Sequence, residues 1–174
     1  MIFRPVPIAL LLIATIANAA PPELTDKDLP RFPAVETANA VNTFQIKKGF
    51  RIELAAAEPL VKDPIALSFD ENGRCFVVEM GDYSERRDEH LGRIRMLEDT
   101  DGDGRFDKAT VYAENLAWPT GVICYDGGIF VANTPDILYF KDTDGDNKAD
   151  VHKVVFTGFG NTKERLNVQA LFNS

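Results

Sequence analysis

The stretch Asp99-Thr-Asp101-Gly-Asp103-Gly-Arg-Phe-Asp107 occurs a second time, 43 residues later, as Asp142-Thr-Asp144-Gly-Asp146-Asn-Lys-Ala-Asp150. Each copy places aspartates at loop positions 1, 3, 5 and 9 around a tight turn, and carboxylate oxygens in that spacing suit Ca²⁺. Strand-like sequence separates the two copies. A repeat of about 40 to 50 residues with such strands is typical of blade-by-blade β architectures such as the β-propeller.

We predict that each of these two Asp loops binds one Ca²⁺ in a structural role. The predicted ligands are the four aspartates of each copy, namely Asp99, Asp101, Asp103 and Asp107, and Asp142, Asp144, Asp146 and Asp150. The backbone carbonyls of Arg105 and Lys148 stand at position 7 and are expected to contribute as well. Neither loop has a Glu at position 12, and strands flank both, so the affinity should be lower than that of an EF-hand. The alternative is a metal-free turn, which Asp and Gly favour for backbone reasons. Identical ligand positions in two copies favour calcium.

Short apolar segments around the Asp loops predict two successive sets of four strands. The eight segments are residues 65–69, 75–79, 93–98 and 110–113, then 121–124, 129–132, 137–140 and 153–157. A leading strand over residues 50–54 and the start of a third copy at 167–174 flank them. We therefore predict an all-β fold, an incomplete β-propeller of about two and a half four-stranded blades. Because a propeller needs at least about four blades to close, we expect the chain to be the N-terminal fragment of a longer protein.

The two ends of each predicted sheet should differ in role. In an antiparallel four-stranded sheet, the first-to-second and third-to-fourth turns share one end. The Asp loops are third-to-fourth turns, so we expect them away from the connections that rim a central funnel. Those connections hold the candidates for chemistry: residues 83–90, 115–120 and 158–165. The sequence has no nucleophile elbow, phosphate loop or dinucleotide fingerprint, so catalytic and cofactor-binding residues stay unassigned.

Four residues of these connections have two interpretations each. Trp118 could floor a sugar or ring pocket, or it could pack between blades. Arg86 and Arg87 could bind an anion, although a charged loop is more often simply solvated. His90 could act as a general base, although a lone loop histidine is more often a bystander.

The N-terminal residues predict export. Arg4, an apolar run at residues 8–17 and a small-x-small site indicate a signal peptide over residues 1–19. A transmembrane anchor is the alternative, but the apolar run is too short for a span. Residues 20–48 form an exposed lead-in, and residues 49–174 form the propeller fragment. We expect a periplasmic or cell-surface location.

Charge and cysteine content limit the partners. The 27 acidic and 19 basic residues give a net charge of −8, so nucleic acid is not an expected partner. An exported location would permit a disulfide between Cys75 and Cys124. Each cysteine lies within an apolar strand pattern, however, which favours buried free thiols.

The motif order carries a resemblance to a known family. Residues 92–104, 116–121 and 142–146 resemble the N-terminal propeller of planctomycete-type membrane-bound dehydrogenases, which are similar in turn to soluble quinoprotein glucose and sorbosone dehydrogenases. The resemblance covers about residues 49–174. It implies a six-bladed propeller, Ca²⁺, export and a quinone cofactor such as PQQ. The funnel histidine and cofactor-binding arginines of those enzymes have no counterpart that can be placed in this sequence.

Three functional hypotheses follow. The first is a calcium-stabilised propeller of a quinoprotein-like dehydrogenase, active in full-length form on sugars or related alcohols and completed by C-terminal blades of the same protein. The second is a non-catalytic propeller that binds a glycan or a partner protein. The third is a fragment with no function of its own.

Overall fold

The computed structural model describes residues 33–83 and 86–159. Backbone contacts divide the chain into two units, Met1–Glu36 and Thr37–Ser174. Residues 33–36, the described part of the first unit, contain no helix or strand. The predicted signal peptide at residues 1–19 and the predicted third copy at 167–174 lie outside the described residues.

Eight strands form the framework of the described part of the second unit. Its helical elements are short: α1 (Thr37–Ala40) and the 3₁₀ turns Val41–Thr43 and Arg87–Glu89. No described helix has the length and apolar character that a membrane span requires. The strands are β1 (Pro64–Phe69), β2 (Cys75–Glu79), β3 (Gly92–Glu98), β4 (Lys108–Leu116), β5 (Gly121–Tyr125), β6 (Gly128–Asn133), β7 (Asp136–Lys141) and β8 (Val151–Thr157).

The strands form two antiparallel sheets in chain order. The first sheet is β1-β2-β3-β4, and the second sheet is β5-β6-β7-β8. Every strand of the two predicted sets is present, and no strand end differs from its predicted position by more than three residues. The all-β prediction is confirmed. Within each sheet, sequential order arises because each connection folds the chain back beside the preceding strand.

Turn chemistry fixes the hairpins. Asp126 and Gly127 join β5 to β6, and both have positive φ angles, of 51° and 67°. A two-residue turn with both residues in this region matches the right-handed twist of the strands that it joins. In the longer β1–β2 turn, the Gly73 amide donates to the Asp70 carbonyl and Gly73 takes a φ of 79°.

The main hydrophobic core contains residues of both sheets. Its members from the first sheet include Phe76, Ile94 and Met96, and those from the second sheet include Ile129 and Val131. Alternating side chains point to this face because successive residues of a strand face opposite ways. A smaller cluster of Cys75, Val77 and Leu97 covers the other face of the first sheet. The two sheets therefore pack against each other through one shared apolar layer.

The prediction of a strand at residues 50–54 is wrong. These residues have no strand pairing, and Phe50 is 74% exposed. Alternation of apolar and charged residues indicates a strand only when a neighbouring strand takes up its backbone hydrogen bonds. Directly after this segment, the Ala55 carbonyl accepts a hydrogen bond from the Phe106 amide of the first Asp loop, at 2.8 Å.

Candidate functional site

The two Asp loops lie where the strand order places them. Residues 99–107 join β3 to β4, and residues 142–150 join β7 to β8. An open groove of about 450 Å³ is lined by residues 72–74 of the β1–β2 turn together with residues 98–100. The β1–β2 turn and the first Asp loop therefore share one end of the first sheet, as predicted.

The fold brings three carboxylates of each loop together. In the first loop these belong to Asp99, Asp101 and Asp107, and one oxygen from each lies within 4.8 Å of the others. In the second loop they belong to Asp142, Asp144 and Asp146, at the same limit. Positions 1 and 3 thus converge in both loops, whereas position 9 joins them in the first loop and position 5 in the second.

The two predicted ligands outside these clusters take part in the turns themselves. Asp103 accepts a hydrogen bond from the Arg105 amide at 2.8 Å. Asp150 accepts bonds from the amide and the hydroxyl of Thr143, both at 2.9 Å. Asp146 and Asp107, which do belong to the clusters, accept the equivalent bonds from the Lys148 amide and from Thr100, so these bonds are a common feature of both loops.

The loops also repeat each other in their hydrogen bonds. The position 1 carboxylate, Asp99, accepts from the Gly102 amide at 2.7 Å and the Gly104 amide at 2.9 Å. Asp142 accepts in the same way from Gly145 at 2.7 Å and Asn147 at 2.8 Å. Local side-chain to backbone bonds of this kind are the intrinsic preference of Asp in turns. They hold the position 1 carboxylate in one orientation.

These amide donors keep the position 1 carboxylates ionised. Hydrogen bonds from Gly104 and Gly102 lower the pKa of Asp99 despite some desolvation. Desolvation alone would raise the pKa of Asp142, but the amide bonds from Gly145 and Asn147 outweigh it, and the pKa is lowered. A carboxylate must be ionised to bind a cation, so the lowered pKa favours cation binding by the position 1 carboxylate of each loop.

The donor set fits a hard divalent cation. Each cluster offers carboxylate oxygens only, which is the ligand type that Ca²⁺ prefers. Within the described part of the chain, no salt bridge uses any of the eight loop aspartates. Their mutual repulsion is therefore relieved by backbone amides and not by a basic side chain, which leaves negative charge for a cation to neutralise.

Each Asp loop is tied to backbone outside its own hairpin. At loop position 8, the Phe106 amide donates to the Ala55 carbonyl at 2.8 Å, and the Ala149 amide donates to the Tyr112 carbonyl at 2.9 Å. The Ala55 carbonyl therefore gives the first loop the same backbone contact that the Tyr112 carbonyl of β4 gives the second loop. The Tyr112 hydroxyl also accepts from the Asp142 amide at 3.0 Å, which links the second loop to the first sheet.

Trp118 is a packing residue. It is 7% exposed, its indole N–H donates to the Asp82 carbonyl at 3.3 Å, and the Tyr83 ring lies 5.4 Å from it. The guanidinium of Arg87 lies 5.7 Å from the Trp118 ring centroid. Of the two interpretations of Trp118, the structure supports packing, because its faces are covered by neighbours.

The charged loop before β3 is only partly solvated. Arg86 is exposed and pairs with Glu89 at 3.4 Å. Arg87 instead donates to the carbonyl of Thr134 at 2.8 Å, between the β2–β3 connection and the β6–β7 turn. For Arg87 the expectation of a solvated side chain is therefore wrong, because that carbonyl gives its guanidinium a fixed partner.

Neither histidine of the chain is placed as a catalytic base. His90 is exposed, with a φ of 52° at the end of the Arg87–Glu89 turn. His152 stacks on Phe140 with the ring centroids 4.6 Å apart, on the outer strand β8. No described acid or hydroxyl orients either ring by a hydrogen bond.

Both cysteines are free thiols. Cys75 is buried, and Cys124 is half-buried. Burial raises the pKa of Cys75 to about 11. The expectation of buried free thiols is confirmed for Cys75.

A charged cluster that the sequence pattern did not predict lies at the other end of the first sheet. Glu79 is 2% exposed and lies directly opposite Arg93 in the β2–β3 pairing. Its carboxylate accepts from the Arg93 Nε and from the Lys62 amide, the latter at 2.7 Å. A charged residue at the end of an apolar strand can indicate such a cluster. The long connection between β2 and β3 hides the register of the two strands, however, so the sequence does not show that Glu79 faces Arg93.

Comparison with known proteins gives a family but no activity. A family described as a domain of unknown function, DUF7133, matches residues 36–174. The chain belongs to this family. Neither the curated proteins nor the solved structures gave a match. The DUF7133 match covers both sheets and both Asp loops.

Proposed function

We propose that this chain is part of an exported, calcium-stabilised β-propeller of a quinoprotein-dehydrogenase-like protein. In this proposal, the first and second sheets are two successive blades. Support comes from their identical strand order, from the core that they share and from the Asp loop that each carries at the same position. Blades of four antiparallel strands packed face to face are the unit of a propeller.

The calcium sites are the part of the proposal that the geometry supports best. The observation that supports these sites is the repetition. Each loop brings oxygens of three carboxylates within 4.8 Å of one another, and each makes the same amide bonds to its position 1 carboxylate. We assign the metal a structural role, because the loops lie at the sheet end opposite the β2–β3 connection. Ca²⁺ would hold carboxylates that otherwise repel one another and would so fix the third-to-fourth turn of each sheet.

A calorimetric titration of the metal-stripped chain with Ca²⁺ tests this assignment. We expect two sites in the native sequence and one site in either Asp101→Asn or Asp144→Asn. The double variant should bind no Ca²⁺ at these loops. Asp126→Asn, in the β5–β6 turn, is the matched control and should keep both sites. If the double variant titrates like the native chain, the loops are turns without a metal function.

The enzymatic part of the proposal rests on the resemblance of residues 92–104, 116–121 and 142–146 to the quinoprotein-like dehydrogenases. When bound, PQQ would accept the hydride equivalent from a sugar or related alcohol. The described residues do not present a set that fits this cofactor, since His90 and His152 are both placed away from a base-like role. The active site would then have to be built by further blades. PQQ-dependent dye reduction with sugars by the native full-length protein would support this part, and its absence with Ca²⁺ and PQQ present would contradict it.

A non-catalytic propeller that binds a glycan or a partner protein is the second candidate. A polar cavity at the end of the first sheet, remote from the Asp loops, favours it. Export is common to both candidates. N-terminal sequencing of the mature protein tests it, because a first residue near position 20 would support cleavage and a retained Met1 would contradict it.

A further inference from the structure

The cavity lies where β2 ends and β3 begins. Its volume is about 340 Å³. Small-molecule sites occupy about 300–1,000 Å³, so a monosaccharide is within its capacity. The lining residues that matter are Lys62, Asp63, Glu79, Arg86, Leu91 and Arg93. Its described lining comes from the residues before β1 and from Gly81, Arg86 and Leu91, at the end of the first sheet opposite its Asp loop.

Glu79 is the fixed element of this cavity. Its side chain is 3% exposed and forms ion pairs with Arg93 and, at 3.5 Å, with Arg95. The Lys62 amide donates to the same carboxylate at 2.7 Å. Two guanidinium groups around one carboxylate more than balance its charge. Glu79 therefore acts as a buried anchor that orients Arg93.

Arg93 keeps donors for a ligand. It binds Glu79 through Nε, and the described contacts of Arg93 include no partner for its two terminal nitrogens. Its side chain is 33% exposed, so those nitrogens are accessible from the cavity that the residue lines. The paired terminal nitrogens of an arginine match a carboxylate in a bidentate geometry.

The remaining charges of the cavity differ from those of the chain as a whole. Lys62, Arg86 and Arg93 bring three positive charges against two from Asp63 and Glu79. The chain itself carries a net charge of −8. Arg86 is already engaged by Glu89 and by the Gly81 carbonyl. The side-chain donors of the cavity without a described partner are thus the Lys62 ammonium and the two terminal nitrogens of Arg93, with the Asp63 carboxylate as an acceptor beside them.

We propose that this cavity binds a small hydroxylated carboxylate of the hexuronate class. The ligand carboxylate pairs with Arg93 and Lys62, the Asp63 carboxylate accepts from ring hydroxyls, and Leu91 packs against the C–H face of the ring. A neutral hexose would bring no negative charge to the Lys62 ammonium and to the terminal nitrogens of Arg93. The proposal deepens the glycan-binding candidate and makes no use of the calcium sites.

Calorimetric titration with D-glucuronate, in parallel with D-glucose and sulfate, tests the proposal on the whole chain. We expect glucuronate to bind, and glucose and sulfate to bind at least tenfold more weakly. Glucose lacks the carboxylate, and sulfate lacks the sugar ring with its hydroxyls. Equal binding of glucose would overturn the carboxylate contact. Equal binding of sulfate would overturn the sugar contact, and absence of glucuronate binding would overturn the site.

Variants identify the residues. Lys62→Met removes the ammonium and keeps the backbone amide that holds Glu79, so the fold should stay intact while the affinity for glucuronate falls at least tenfold. Arg93→Gln should give a similar loss of affinity. If Arg93→Gln does not fold, the result for Lys62→Met alone decides the test. Lys48→Met, outside the cavity, is the control for loss of a lysine. Unchanged glucuronate affinity in Lys62→Met would contradict the assignment.

The calcium proposal and this one fail separately. The titrations are repeated in EDTA and with the Asp101→Asn/Asp144→Asn double variant. Retained glucuronate binding under both conditions supports the cavity as an independent site. Loss of glucuronate binding in the double variant, with no change in fold, would refute that independence.

Discussion

The hydroxyl of Tyr112 links the second Asp loop to the first sheet, and its removal tests that link directly. The Tyr112 ring is 4% exposed and packs edge-on against Phe76 with the ring centroids 4.9 Å apart. Burial raises the pKa of Tyr112 to about 12, so the group is a neutral hydroxyl at physiological pH. Its oxygen accepts from the Asp142 amide at 3.0 Å. In Tyr112→Phe the ring packing remains and this one bond is lost.

The size of the effect follows from the bond. One hydrogen bond of this kind contributes about 1 kcal/mol, which corresponds to about a fivefold change in an opening equilibrium. Hydrogen exchange of metal-free protein, followed by mass spectrometry, reports such local opening where exchange is limited by that equilibrium. We expect amides of residues 142–150 to exchange about fivefold faster in Tyr112→Phe. Amides of residues 99–107 should not change, because their anchor is the Ala55 carbonyl.

Tyr125→Phe is the matched control. The Tyr125 ring is 66% exposed, and the described hydrogen bonds include none to its hydroxyl, so this variant should leave exchange in both loops unchanged. Equal acceleration of both Asp loops in Tyr112→Phe would mean that the variant weakens the whole fold. No acceleration in residues 142–150 would refute the proposed link.

Three further predictions concern the core, a turn and a thiol. Met96→Ala, at a fully buried core position, should lower the free energy of unfolding by about 2–5 kcal/mol in urea denaturation, whereas Val154→Ala, at a position 57% exposed, should cost much less. Desolvation opposes the Arg74 bonds to Asp70, but those bonds prevail and lower its pKa. The Asp70 contribution to stability should therefore be complete above the unfolded pKa of about 4 and be lost as pH falls through the folded pKa, and NMR should show a lower carboxyl titration midpoint in native than in unfolded protein. Burial raises the pKa of Cys75 to about 11, so only about a thousandth of this thiol is ionised at pH 8. Cys75 should therefore react with iodoacetamide far more slowly in native than in unfolded protein, and equal rates would contradict this.

Local patterns explain why the strands could be predicted. Each strand alternates or concentrates apolar residues between turn residues, and each turn is built from contacts only a few residues apart. The turn at Asp126 and Gly127 is such a case, because its positive φ angles follow from the residues themselves. Both Asp loops are also local, since the amides that bind each position 1 carboxylate lie three and five residues further along the chain.

Long-range contacts explain the errors. Residues 50–54 have a strand pattern but no neighbouring strand, so the pattern does not decide their structure. Trp118 had two equal interpretations because burial beside Tyr83 depends on a connection 35 residues away in sequence. The role of Arg87 could not be predicted either, since its partner is the carbonyl of Thr134.

The eight strands, their order in two antiparallel sheets and the two acidic loops at matching turns could all be inferred from the order of residues. These features depend on side-chain alternation and on hydrogen bonds between near neighbours, which the order of residues specifies directly. The carboxylates that converge in each loop and the cations that surround Glu79 could be identified only from the folded chain. Those arrangements depend on strand register and on contacts between residues far apart in the chain, and a register is fixed only when the sheets pack around their common core.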